Sequence, residues 1–251
     1  MKKYKFLYIL ILLFILFFSA KKTEAYGFGF KKNSDNKQPD IGIYKSVIES
    51  NGGIYVGDNN SKKVYLTFDC GYENGYTSKI LDVLKEKRVS ATFFLTGHYI
   101  SSASDLVLRM KNEGHTLGNH SDKHKDITKI TDTEITKEIL DLETKYYNLT
   151  GTNLTKFFRP PAGTFDDRSL KVVTSLGYTT LFWSLAYKDW NHNTDSNSAV
   201  KEVINNIHNG AIILLHAVSE ANSNALGTII DELRSRGYEI ASTEELITNI
   251  Y

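Results

Sequence analysis

The sequence holds a single cysteine, Cys70, among 251 residues, which excludes any disulfide within the chain. Neither sign of charge is in excess: 30 Lys and Arg face 29 Asp and Glu, a formal +1, so the basic patch of a nucleic-acid or anionic-membrane binder is missing. No apolar run reaches the roughly 20 residues that span a membrane, and the run Phe6 to Phe18 falls short of it. Internal repeats, low-complexity tracts and a Gly-rich phosphate loop are also absent. What is present is balanced. Apolar residues make up 41% and charged residues 24%, which excludes a disordered chain and a multi-span membrane protein. The length suits one well-buried α/β domain without a second catalytic domain.

The N-terminus departs from this balance. Lys2, Lys3 and Lys5 precede the apolar run, and small residues ending at Ala25 follow, the layout of an export signal. Residues 1–25 are therefore read as a cleaved signal peptide or an uncleaved N-terminal anchor, the latter tethering the protein to the membrane. Either way the remainder lies outside the cytoplasm. Removing this segment takes away five lysines and one glutamate and turns the formal charge from +1 to −3. Residues 26–60, rich in Gly, Asn, Lys and Asp, read as an extended lead-in to a domain over 61–251.

From Val64 onward, short β-type runs alternate with stretches of helical period, the pattern of a parallel sheet wrapped by helices. Strands are expected at 64–68, 91–95, 116–118, 157–158, 179–182, 211–215 and 239–240. Helices are expected near 77–87, 105–112, 132–149, 166–176, 199–207, 225–236 and 243–248. Seven such pairs imply a single α/β domain, a closed or nearly closed barrel, and in such folds the working residues sit at the carboxyl ends of the strands.

Polar residues that a fold does not require cluster just there. Asp69, His120 and His124, Arg159, Asp189 with Trp190, and His216 each follow a different strand. Taken singly, each has a bland reading: Asp69 could cap a loop, His216 could be a satisfied core histidine, and an H-x-x-x-H spacing alone is weak. On a helical turn, however, His120 and His124 would share one face, the usual geometry of a two-histidine metal site. His115 reads as a packed, hydrogen-bonded histidine, and His98, His192 and His208 receive no role.

The combination resembles a family. Thr67-Phe68-Asp69-Cys70-Gly71, His120-Ser121-Asp122-Lys123-His124, Arg159-Pro160-Pro161-Ala162-Gly163, Asp189-Trp190 and Leu214-Leu215-His216 fall in the order of the five motifs of the polysaccharide deacetylases, the NodB-homology proteins of carbohydrate esterase family 4. The resemblance covers about Val64 to Leu246 and implies the fold, a single-domain distorted (β/α)7-type barrel with its groove at the strand ends. A narrower resemblance, carried by Gly71 to Thr77, Phe182 to Trp190, Leu215 to Ser219 and the lead-in Tyr26 to Lys32, is to the branch that deacetylates N-acetylmuramic acid on the way to the muramic δ-lactam of spore cortex.

The resemblance implies the following roles. Asp69 is the general base, held by Arg159; His216 is the general acid, supported by Asp189; His120 and His124 hold a divalent ion, zinc or else cobalt, manganese or magnesium. The backbone N–H of Ala162 receives the oxyanion, Leu214 and Trp190 wall the acetyl methyl, and Tyr72, Glu73 and Asn74 are sugar contacts. One position departs from the pattern, because Cys70 stands where most members carry a third, acidic ligand. Three readings remain open: Cys70 ligates zinc as a thiolate; the ion is held by the two histidines, water and Asp69; or the protein is a non-catalytic glycan-binding relic. The partner implied is the cell-wall glycan, without nucleic acid, for a monomeric enzyme. Its rival substrates are N-acetylglucosamine in peptidoglycan or chitin-like chains, and acetylated xylan.

Overall fold

Residues that alternate between the two sides of each strand dictate two apolar layers, one between sheet and helices and one inside the curve of the sheet. The computed structural model describes residues 24–32, 35–190 and 194–248. Its elements, in chain order, are β1 (Tyr26–Gly27), α1 (Tyr44–Ser50), β2 (Lys63–Cys70), α2 (Thr77–Lys87), β3 (Thr92–Leu95), α3 (Gly97–Ser102), α4 (Ser104–Asn112) and β4 (Thr116–Asn119). They continue with α5 (Asp132–Thr150), β5 (Phe157–Phe158), a 3-10 turn (Pro161–Gly163), β6 (Thr164–Phe165), α6 (Asp167–Ser175) and β7 (Thr179–Thr180). The last are α7 (Ser196–Asn206), β8 (Ile212–His216), α8 (Glu220–Ser235), β9 (Glu239–Ile240) and α9 (Glu245–Thr248).

The main sheet runs β7-β5-β4-β3-β2-β8, with β9 paired to the start of β2, and every pairing is parallel. β7 and β8 are not neighbours in this ladder; the chain beyond β7 meets β8 in the bridge Leu185↔Ile213. The result is a single α/β domain with an open, distorted barrel of the expected type. Along β2, Val64, Leu66, Phe68 and Cys70 join the apolar layer against the helices, whereas Tyr65 joins the smaller inner cluster with Phe94, Phe157, Leu181 and Ile212. Gly118 is required on β4, since a Cβ there would lie 2.7 Å from the Phe94 ring.

Helix starts follow the polar residues that announce them. Thr131 and Glu134 form a capping box on α5, Asp166 and Ser169 one on α6, and Asp195 and Ser219 cap α7 and α8. The lead-in differs from an extended segment. It contains α1, and β1 pairs antiparallel with β6 through Tyr26↔Phe165 and Gly27↔Thr164. Phe28 packs its ring 4.6 Å from that of Phe182, so aromatic burial fastens the lead-in to the barrel.

The expected membrane tether is corrected: among the described residues no helix is long and apolar enough to cross a membrane. The apolar run proposed as signal or anchor lies within residues 1–23, outside the described residues.

Candidate active site

Five strand ends converge as follows. Asp69, at the end of β2, sits in register with His216 of β8, which brings a buried carboxylate beside an imidazole. Asp69 Oδ1 accepts from Arg159 Nη1 at 2.9 Å, while Oδ2 lies 3.6 Å from His120 Nε2. Burial pushes the Asp69 carboxyl up, but the Arg159 guanidinium, with the neighbouring His120 and His216 imidazoles, outweighs it and holds the group below its ordinary value.

Arg159 is fully buried, and each of its three guanidinium nitrogens donates a hydrogen bond. Nε donates to Leu181 O at 3.0 Å, Nη1 also to Thr67 Oγ1 at 2.9 Å and Nη2 to Phe182 O at 3.2 Å. Its guanidinium stacks 4.1 Å from the Phe94 ring centroid. A fork pinned in this way leaves Asp69 little freedom to turn.

His120 and His124 are brought together, but not by a helical turn. They lie in a loop after β4 in which Ser121 and His124 take left-handed φ values of 65° and 55°, and the ring centroids end 4.8 Å apart. Because a carbonyl can only accept, His120 Nδ1–H donates to Arg159 O at 2.8 Å, which leaves the Nε2 lone pair facing the cleft. Burial pushes His120 down to about 4, so it is neutral at pH 7 and able to ligate. The loop is anchored from α5. Glu138 O accepts Asp122 N–H at 3.0 Å and Glu138 Oε2 accepts Lys123 N–H at 2.7 Å. Gly97 leaves room for the same loop, since a Cβ there would lie 1.8 Å from Asp122 Oδ1.

Beside Asp69, on β8, stands His216. Its Nδ1–H donates to Asp189 Oδ1 at 2.8 Å, and its backbone N–H donates to Asp189 Oδ2 at 2.6 Å. Burial lowers the His216 pKa, but the hydrogen bond and charge of Asp189 outweigh this and raise it above the ordinary value. Asp189 is itself steadied by Asn222 Nδ2 at 2.5 Å, and Tyr187 OH donates to Asn222 Oδ1. Ser219 Oγ donates to Asp189 O at 2.8 Å.

Asp69, His120, His124, His216 and Tyr72 line one cleft of about 440 Å³, room for a sugar residue. Trp190, 58% exposed, stands edge-on to His216 with centroids 5.2 Å apart and lines an adjoining cleft with Tyr72 and Asn74. Leu214 precedes His216 by two on the same face of β8. Ala162 is exposed on the turn after Arg159-Pro160-Pro161, at a left-handed φ of 53°.

Two expected contacts are not brought to the site. Cys70 projects from β2 to the side opposite Asp69 and is fully buried in the layer against the helices, so the expectation of a Cys-His-His ligand set is withdrawn. Glu73 is taken up locally: its carboxylate accepts Gly75 N–H at 2.6 Å, Thr77 Oγ1–H at 2.5 Å and Tyr99 OH at 2.9 Å. Sequence reasoning missed Thr67, Asn222 and Glu138, which act behind the cleft. His115 Nδ1 accepts from Ala91 N–H at 3.2 Å, away from the site.

Among the described residues no group of three or more His, Cys, Asp and Glu side chains is placed to hold a metal ion. The donors that fit one are the imidazole pair, nitrogen ligands suited to zinc and similar ions, with the Asp69 carboxylate 3.6 Å from one of them.

A carboxylate fixed by arginine, beside a histidine fixed by aspartate in the wall of a sugar-sized cleft, defines a hydrolase on an open α/β barrel. The polysaccharide deacetylase family model matches residues 56–181, and the chain belongs to that family, the NodB-homology proteins of carbohydrate esterase family 4. It is 42% identical over 231 residues to the peptidoglycan-N-acetylmuramic acid deacetylase PdaA of Bacillus subtilis, covering 91% of this chain and 88% of that protein. The PdaA structure, described as a family 4 carbohydrate esterase, superposes with a TM-score of 0.88 over 91% of this chain and 99% of that one. A family 4 carbohydrate esterase from Bacillus anthracis, 44% identical, superposes with a TM-score of 0.76, covering 90% of this chain and 97% of that one. A peptidoglycan-N-acetylglucosamine deacetylase of Bacillus cereus is 33% identical over 196 residues, 76% of this chain and 70% of that protein. The protein is accordingly a polysaccharide deacetylase, a hydrolase that works outside the cytoplasm at the cell wall. Deacetylases of this family are typically metal-dependent.

Proposed function

We propose that this protein removes the N-acetyl group from N-acetylmuramic acid residues of peptidoglycan whose peptide has been trimmed, a step toward the muramic δ-lactam of spore cortex. The observation that carries the catalytic part is the presence side by side, within one cleft, of Asp69 held by Arg159 at 2.9 Å and His216 held by Asp189 at 2.8 Å. The substrate assignment is supported by the 42% identity to a muramic acid deacetylase.

His120 and His124 would hold a divalent ion, zinc first and cobalt, manganese or magnesium as alternatives. Such an ion, when bound, polarises the acetyl carbonyl and lowers the pKa of water. Asp69, kept ionised by Arg159, takes the proton of the attacking water as its oxygen adds to the acetyl carbon. The backbone N–H of Ala162 receives the oxyanion that develops. His216, protonated with the help of Asp189, gives its proton to the sugar nitrogen as the C–N bond breaks, releasing acetate and a free amine. Leu214 and Trp190 wall the acetyl methyl, and Tyr72 and Asn74 border the sugar.

The test is mass analysis of amidase-trimmed peptidoglycan, intact peptidoglycan and chitin oligomers before and after incubation with zinc-loaded protein. Loss of an acetyl unit from muramic residues of the trimmed strand is expected. Acetate released only from N-acetylglucosamine would overturn the substrate assignment, and none from any glycan would overturn the mechanism.

A further inference from the structure

In N-acetylmuramic acid the acetamide hangs on C2 and the lactyl ether on the neighbouring C3. Once the peptide is removed, a free carboxylate must therefore enter the same cleft as the scissile amide. The charges of that cleft are unevenly placed. Lys123 and His98, both exposed, line it on the imidazole side. Its acids are engaged elsewhere: Asp69 with Arg159 at 2.9 Å and Asp122 with Lys145 at 2.5 Å.

Lys123 has no ion-pair partner among the described residues, and its backbone is held by Glu138 Oε2 at 2.7 Å. Its ammonium thus rises from a fixed base with no internal acid to satisfy it. Beyond Tyr72 and Val218 the balance reverses. The adjoining cleft is lined by Asp189, Asp195 and Glu220 and, among the described residues, by no lysine or arginine.

We propose that Lys123, assisted by the His98 imidazole, binds the lactyl carboxylate of the muramic residue being deacetylated and so selects it over N-acetylglucosamine. The inference rests on the muramic reading above. It accounts for a preference for trimmed strands, because a stem peptide turns the carboxylate into a neutral amide and removes the charge that Lys123 reads. The acidic neighbouring cleft disfavours the same carboxylate, so the uncharged N-acetylglucosamine next in the strand falls there and the strand has one direction.

The experiment compares kcat/KM of the full chain on amidase-trimmed glycan and on the same glycan with its lactyl carboxylates methyl-esterified. The proteins are the unaltered enzyme, Lys123→Gln, Lys123→Glu and His98→Gln. The unaltered enzyme is expected to prefer the free acid by about tenfold, as for a charge-assisted hydrogen bond in a half-open site. Lys123→Gln should lose most of that preference through KM, His98→Gln part of it, and Lys123→Glu should invert it. An equal acid-to-ester ratio in all four proteins overturns the proposal while leaving the muramic reading intact. Activity on chitin oligomers with none on either muramic glycan overturns both.

Discussion

Replacing Arg159 by methionine should cost more stability than any surface change and abolish activity. Methionine refills much of the hydrocarbon volume and still lies against Phe94, so the packing loss is small. The polar loss is not. Asp69, 7% exposed, would lose its Nη1 partner, and Leu181 O, Phe182 O and Thr67 Oγ1 would lose donors at 3.0, 3.2 and 2.9 Å. Breaking a buried ion pair from one side costs about 3–5 kcal/mol, and each orphaned acceptor about 1–3 kcal/mol, overlapping because they share one side chain. A net loss of about 5 kcal/mol lowers the melting midpoint by roughly 10–20 °C for a domain of this size. Thermal unfolding followed by circular dichroism, with acetate release assayed well below the midpoint, measures both effects. The double variant Arg159→Met with Asp69→Leu removes the stranded carboxylate and should regain a few kcal/mol while remaining inactive. Should Arg159→Met melt within a few degrees of the unaltered protein and keep its turnover, the pairing has been given a role it does not have.

Three further outcomes follow from the site. Asp189→Asn removes the charge that raises His216, so the fall of kcat on the alkaline side should begin at lower pH, with at least a tenfold loss at its former optimum; a pH profile reads both. His124→Ala should abolish zinc binding in calorimetry, whereas Cys70→Ala should leave it unchanged, because the thiol lies across the strand from the imidazoles; Cys70→Asp should destabilise by several kcal/mol through an unpaired buried charge. Gly97→Ala should disturb the loop of His120 and His124, weakening zinc binding and costing about 1–3 kcal/mol in chemical denaturation, since the added methyl meets Asp122.

The barrel and its strand ends were legible because period-two and helical patterns survive in the sequence wherever a face is buried. The helix starting at Glu220 is expected only from 225, since four of the five residues Glu220 to Asn224 are polar, although Ala221, Asn222 and Ser223 are buried. Asn222 is buried where it serves Asp189, a tertiary reason that no local pattern displays. The histidine pair was expected on a helical turn and is instead set by left-handed residues at Ser121 and His124, a conformation to which sequence spacing is blind. Cys70 illustrates the reverse lesson. Its place at the family's third-ligand position suggested shared chemistry with Asp69, while strand alternation, equally readable, puts the two side chains on opposite faces.

The buried position of Cys70 has a consequence for the life of the protein outside the cell. Burial raises its thiol pKa well above the ordinary value, so almost no thiolate exists to attack disulfides or meet peroxide. An unpaired sulfur is thereby kept inert in oxidising surroundings, and the protein can persist at the wall without cross-linking to its neighbours.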